Sequence, residues 1–288
     1  VEGIPIADLA HMMRWKDYVS PVILSHIILP AMVEKQDSEK LANQAKQSIK
    51  KGISKNGYDA ILHQLRRFVE SLHIKSKEKS TWGDYSTHNS YLPKETEDKV
   101  NVIKNIVTEH QPHTVVDIGC NDGLFSTTAL DAGAKLAIGF DFDHPSLNRA
   151  FTRANKENLN FLPLYMDLAN PSPGQGFAGT ERPNLSQRLG KADLVLALAV
   201  VHHLAIGKNI PLERAIEYIA SLGKSALIEF VPKNDDMVQR MLAIREDVFG
   251  DYTRDMFVTA IEKHMKIESN KTLTASGREI FHVTTLAA

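Results

Sequence analysis

From Lys94 to the C-terminus, short apolar runs alternate with amphipathic helical patterns, and this alternation constrains the fold more than any other feature. The pattern predicts a helix over 96–110, then strands and helices in turn: strand 114–118, helix 124–132, strand 136–141, helix 146–155 and strand 161–167. A long loop leads to a strand at 192–200, a helix at 212–221 and a strand at 225–230. A helix pair at 235–249 and 254–264 precedes two closing strands at 266–273 and 279–285. Repeated β–α units imply a doubly wound, mostly parallel α/β sheet. The last two strands, joined by a short turn, make seven in all and add an antiparallel strand at the edge.

Residues 1–93 read differently. Apolar residues recur at three- and four-residue spacing around 6–14, 18–35, 38–51 and 58–73, most clearly at Ile61, Leu62, Leu65, Phe68, Val69 and Leu72. A helical extension or cap over 1–93, joined to a core over 94–288, is expected. The stretch 75–93 is polar and turn-rich, as suits a connector.

Composition narrows the function classes. The net charge of -1 creates no global pull toward nucleic acid or an anionic surface. Lys50, Lys51, Lys55, Arg66, Arg67, Lys75, Lys77 and Lys79 form a locally basic stretch, which reads as the solvated face of helices or as an anion- or RNA-binding surface. The single cysteine, Cys120, rules out an internal disulfide. The longest apolar stretch, 21–32, is too short to span a bilayer. The first residues lack a leader pattern, so a cytoplasmic protein without a membrane partner is expected.

Within the core, Thr114-Val-Val-Asp-Ile-Gly-Cys-Asn-Asp-Gly123 places two glycines at a strand-to-helix turn. Such a turn lets backbone approach a ligand at the carboxyl edge of the sheet. Asp141 ends the next strand, where a carboxylate can accept both hydroxyl hydrogens of a ribose. Dinucleotide sites favour G-x-G-x-x-G around a pyrophosphate. Here the acidic Asp117 and Asp122 accompany Gly119 and Gly123. Negative charge disfavours pyrophosphate and favours a sulfonium and an α-ammonium, so the residues point to S-adenosylmethionine.

These segments resemble the class I S-adenosylmethionine-dependent methyltransferases. Val115-Val-Asp-Ile-Gly-Cys-Asn-Asp-Gly123 resembles their motif I, and Gly139-Phe-Asp141 their acidic second-strand motif. Leu164-Tyr-Met-Asp167 resembles the third-strand motif, Ala192 to Leu204 the fourth, and Ala226-Leu-Ile-Glu-Phe-Val231 the fifth strand. The resemblance implies a cofactor site of Asp117, Gly119, Cys120, Asn121, Gly123, Asp141, Phe142, Asp167, Leu168 and Ala199. Asp167 is the one expected to meet the adenine amino group. More loosely, Asn170-Pro-Ser-Pro-Gly174, Glu181-Arg182, His202-His203, Asn209-Ile-Pro-Leu212 and Glu229-Phe-Val-Pro-Lys233 are similar to a bacterial methyltransferase group that includes nodulation-associated proteins.

Methyl transfer needs an acceptor held in line with the donor and, for some acceptors, a base. His202 and His203, after the fourth strand, are the expected catalytic residues, with pocket lining or metal ligation beside Glu229 or Asp167 as alternatives. No metal is expected. Glu181 and Arg182, in the long loop 170–191, and Glu229 are candidate substrate contacts. So are Trp82, Tyr85 and Tyr91, which either close over the pocket or pack the helical region. Cys120 reads as a small packing residue rather than a nucleophile. Ser276-Gly277-Arg278 reads as a hairpin turn. The expected acceptor is a small molecule or carrier-linked metabolite. RNA methylation through the basic stretch and a non-catalytic cofactor-binding module are the alternatives.

Overall fold

The computed structural model describes residues 3–34, 54–72, 93–273 and 276–286. The chain divides into two compact units, Val1–Lys75 and Ser76–Ala288.

The first unit is helical. It contains α1 (Ile6–Met12), a 3-10 turn (Trp15–Val19), α2 (Pro21–Ile23), a π-helical segment (Leu24–Ile28), α3 (Leu29–Glu34) and α4 (Lys55–Glu70). The helix expected over 18–35 instead begins at Pro21, because a proline at the first position sacrifices no needed donor and Ser20 caps it. The π spacing that follows lies just before Pro30, which has no amide hydrogen to give the ladder. Ser54 caps α4 by accepting from the Gly57 amide at 3.1 Å. The helix expected at 38–51 lies outside the described residues.

The second unit carries α5 (Pro93–His110), β1 (Thr114–Ile118), α6 (Leu124–Asp131), β2 (Leu136–Asp141), α7 (His144–Lys156) and β3 (Phe161–Tyr165). It continues with α8 (Leu185–Leu189), β4 (Leu194–Ala197), α9 (Leu212–Leu222), β5 (Ser225–Phe230), α10 (Asp236–Leu242), α11 (Arg254–Glu262), β6 (Met265–Thr272) and β7 (Glu279–Thr285). The sheet has seven strands in the order β3-β2-β1-β4-β5-β7-β6. The first five run parallel, while β7 pairs antiparallel with both β5 and β6. The antiparallel strand thus lies one place inside the edge, with β6 outermost.

Alternate residues of the strands feed two cores. On one face Val115, Leu194, Leu196 and Leu227 pack with Ile103 and Val107 of α5 and Ala129 of α6. On the other, Val116, Val195, Ala197 and Ile228 pack with Ile216 and Ile219 of α9 and with Phe257 and Ile261 of α11. Burying one such side chain stabilises by about 1.5–3 kcal/mol, so both faces fix the register.

Several expectations change in extent. The strand expected over 192–200 covers only Leu194–Ala197. β3 ends at Tyr165, and Asp167 sits in the following turn, where its own carboxylate accepts the Ala169 amide at 2.9 Å. The helix expected over 235–249 stops at Leu242. The loop 170–191 is not a free excursion: Asn184 caps α8, whose Leu185 is buried in the core. Among the described residues no helix is long and apolar enough to cross a membrane.

Candidate active site

The parallel strands β1, β2, β4 and β5 deliver their carboxyl ends to one edge of the sheet. In register, Asp117 lies opposite Gly139 and Leu196, and Asp141 opposite Tyr165. The turn after β1 is held by two amides: Gly119 and Cys120 donate to the Phe140 carbonyl at 2.8 and 3.0 Å.

Gly119 adopts φ +77, and an added Cβ would stand 2.6 Å from the Val200 side chain. Only glycine satisfies both demands. Gly123, also left-handed, forms the N-cap of α6. Asn121 takes φ 49 and donates its amide to the Asp141 carboxylate at 2.8 Å. The other Asp141 oxygen accepts the Asp143 amide at 2.9 Å. Backbone donors from the turns after β1 and β2 therefore aim this carboxylate. Burial pushes the Asp141 carboxyl above its ordinary range, against the backbone bonds.

Asp117 is enclosed and accepts the Ser126 hydroxyl at 2.6 Å. Burial raises it to about 7; the Ser126 bond opposes this and the Asp141 charge adds to it. The Cys120 side chain points away into a cluster with Ala137, Leu147, Ala150 and Phe161. Burial raises its thiol strongly, which suits packing rather than nucleophilic chemistry. Of Cys120, only the backbone belongs to the turn.

Phe142 follows Asp141 and is 50% exposed. Two residues on, His144 stacks on Tyr165 with ring centroids 4.5 Å apart. The sequence reading missed this pair because its members lie on different elements. Asp167 pairs at 3.2 Å with Lys208, which ends the π-helical turn after β4. Leu168 packs against Val200 and Leu204, and Ala199 holds the strained φ of 53 just after β4.

His202 and His203 begin a π-helical turn there, with ring centroids 4.0 Å apart. His202 is 1% exposed, and neither ring nitrogen has a hydrogen-bond partner. Burial first, then His203, Arg278 and Lys99, hold its ring well below the usual imidazole range. Burial and then Arg278 bring His203 down to about 4, with Asp235 opposing. Both shifts favour the neutral ring.

Glu229, expected among the substrate contacts, has a different place. Its two oxygens meet Lys99 at 2.8 Å and Arg278 at 3.4 Å, and Arg278 also meets Asp235 at 2.7 Å. The four side chains are buried, and their charges cancel. Gly277 makes the expected turn with φ 69, but the adjoining Arg278 side chain turns inward. Lys99 was legible only in that it lies three and four positions before Val102 and Ile103, on the apolar side of α5. Glu181 and Arg182 are exposed on the long loop, where Arg182 pairs with Gln175 through backbone and side chain. Trp82, Tyr85 and Tyr91 lie outside the described residues. No group of three or more metal-ligating side chains occurs among the described residues.

Against solved structures, the N-methyltransferase NodS of Bradyrhizobium japonicum WM9, in complex with S-adenosyl-L-homocysteine, aligns over 73% of this chain and 94% of its own. The TM-score is 0.50 at 12% identity. The chain has the methyltransferase fold. No family model matches it. In sequence, the nodulation protein NoeA of Rhizobium meliloti (strain 1021) is 38% identical over 281 residues, 98% of this chain. The chain spans only 59% of the length of that relative. The ribosomal protein L11 methyltransferase of Colwellia psychrerythraea is 40% identical over 62 residues, 21% of each chain. Within the methyltransferase fold, the β1 and β2 turns, Asp167 and the His202–His203 step all fall at the carboxyl edge.

Proposed function

We propose that the chain transfers a methyl group from S-adenosylmethionine to a small or carrier-linked acceptor. The observation that carries this reading is the turn after β1, where left-handed Gly119 and Gly123 stand beside the buried Asp117 and the backbone-aimed Asp141. The cradle fits the group: its glycines admit a ligand to the backbone, and its carboxylates suit hydroxyl donors and positive charge.

Asp141 would hold the ribose hydroxyls, and the Gly119–Gly123 backbone with Asp117 would face the amino-acid end. Asp167 and Phe142 would meet the adenine, once Asp167 shares or releases Lys208. Bound there, the sulfonium supplies a methyl group already activated for displacement. The remaining task falls to the chain, which must hold an acceptor in line and keep water away. His202 and His203, in the turn after β4, would line the acceptor's side of the site; acting as a base there would require the bound acceptor and cofactor to raise rings that burial and Arg278 hold low. NodS, which shares the fold, is an N-methyltransferase bound to S-adenosyl-L-homocysteine, and this supports the same donor here.

Titration calorimetry with S-adenosylmethionine tests the reading. Saturable heat with a matching rise in thermal midpoint is the expected result. No heat and no thermal shift at millimolar ligand would sink it.

A further inference from the structure

We propose that Arg153 is a positioning residue for the cofactor site: from α7 it fixes the turn after β1 and so sets affinity for the amino-acid end of the cofactor. The inference rests on the methyl-transfer reading. It goes further by giving a role to a side chain outside all five motif segments.

Arg153 lies in the last turn of α7 and is half-buried. Its Nη2 donates to the Asp122 carbonyl at 2.7 Å and to the Thr127 hydroxyl at 3.1 Å. That hydroxyl donates in turn to the Gly123 carbonyl at 2.8 Å. One guanidinium thus ties down two successive carbonyls, directly at Asp122 and through Thr127 at Gly123.

The turn so held is closed by the Gly123 amide on the Cys120 carbonyl at 2.8 Å. Within it Asn121 is left-handed, a conformation that a non-glycine residue keeps only where its surroundings impose it. Gly123 also abuts the Phe161 ring, into which an added Cβ would run, and the same Cβ would lie 3.3 Å from Arg153 Nη2. Phe161 of β3 and Arg153 of α7 therefore brace the turn from two elements.

Packing alone does not account for this arginine. Its Nε is buried without a hydrogen-bond partner, and Arg153 makes no ion pair among the described residues. A buried donor without a partner destabilises the fold, which sets this side chain apart from one kept for stability.

The two ends of the cofactor depend on Arg153 unequally. Asp141, on the ribose side, is aimed by the Asn121 amide and also by the Asp143 amide from its own turn. The Asp122 carbonyl rests on Arg153 instead. Loss of Arg153 frees the Asp122–Gly123 backbone, on the amino-acid side, while Asp143 keeps its hold on Asp141.

Titration calorimetry with two ligands tests this on wild type, Arg153→Met and Thr127→Val, with folding checked by urea unfolding. S-adenosyl-L-homocysteine carries the amino-acid end; 5′-methylthioadenosine, titrated in parallel, has the same nucleoside and sulfur without it. Arg153→Met is expected to lose about ten-fold or more in affinity for S-adenosyl-L-homocysteine and less than roughly three-fold for methylthioadenosine. Thr127→Val, which removes only the link to Gly123, is expected to move the ratio of the two affinities in the same direction by a smaller factor. A role in folding alone lowers the urea midpoint without moving that ratio. Unchanged S-adenosyl-L-homocysteine affinity in Arg153→Met, or equal losses for both ligands, overturns the assignment. Should Arg153→Met not fold, an unmoved ratio in Thr127→Val overturns it. Wild type that binds neither ligand removes the methyl-transfer reading and this inference with it.

Discussion

The Asp117 carboxylate receives the Ser126 hydroxyl at 2.6 Å in a site almost closed to solvent. The contact joins the end of β1 to the first turn of α6 and so fixes the loop between them. Burial outweighs the bond and raises Asp117 to about 7.

A pH dependence follows from this shift. The folded chain keeps a proton on Asp117 that the unfolded chain releases near pH 4, so folding takes up a proton between those values. The stabilisation is complete below about pH 4 and is lost as pH rises through about 7. Asp117→Asn, which stays neutral, is therefore expected to gain thermal midpoint relative to wild type at pH 8 compared with pH 5. Equal differences at the two pH values would place the Asp117 carboxyl in its ordinary range.

Gly119→Ala introduces two conflicts, a left-handed backbone and a Cβ 2.6 Å from Val200. The expected loss is about 1–3 kcal/mol of stability by urea unfolding, together with weaker cofactor binding. A variant with wild-type midpoint and affinity would show that the turn tolerates a side chain.

The buried quartet makes a third prediction. Glu229→Gln leaves Lys99 and Arg278 short of a negative charge, and breaking such a network from one side costs about 3–5 kcal/mol. Replacing Lys99 and Glu229 together, by methionine and glutamine, is expected to destabilise by less than the sum of the two single changes. Additive losses in urea unfolding would mean that the two side chains are not coupled.

Much of this was legible in the sequence. The strands 114–118, 136–141, 225–230 and 279–285 have the expected limits, and the first two end where their apolar runs meet Gly119 and Asp141. The glycine turn and Asp141 were legible because their chemistry lies within one short segment. The charged quartet was not, since Lys99 and Glu229 are 130 residues apart and meet only through the sheet. The His144–Tyr165 stack was hidden in the same way, and Arg278 lay inside what read as a polar turn. The π turn after His202 has no distinct spacing signal, because its apolar residues also fit an ordinary helix.

Lys208 and Asp167 form a half-exposed pair, which contributes at most about 1 kcal/mol to folding. Lys208→Ala is accordingly expected to leave the thermal midpoint nearly unchanged while tightening S-adenosyl-L-homocysteine binding, because the Asp167 oxygen no longer has to be released. Weaker binding in this variant would instead make Lys208 part of the cofactor site.

The central claim is that the edge between β1 and β2 holds S-adenosylmethionine through Asp141, and calorimetry on wild type and Asp141→Ala tests it most directly. Wild type is expected to bind S-adenosyl-L-homocysteine, and the variant to lose roughly ten- to a hundred-fold in affinity, corresponding to about 1.5–3 kcal/mol for hydrogen bonds to a charged acceptor. Equal affinity in the two proteins, with both folded, would contradict the account.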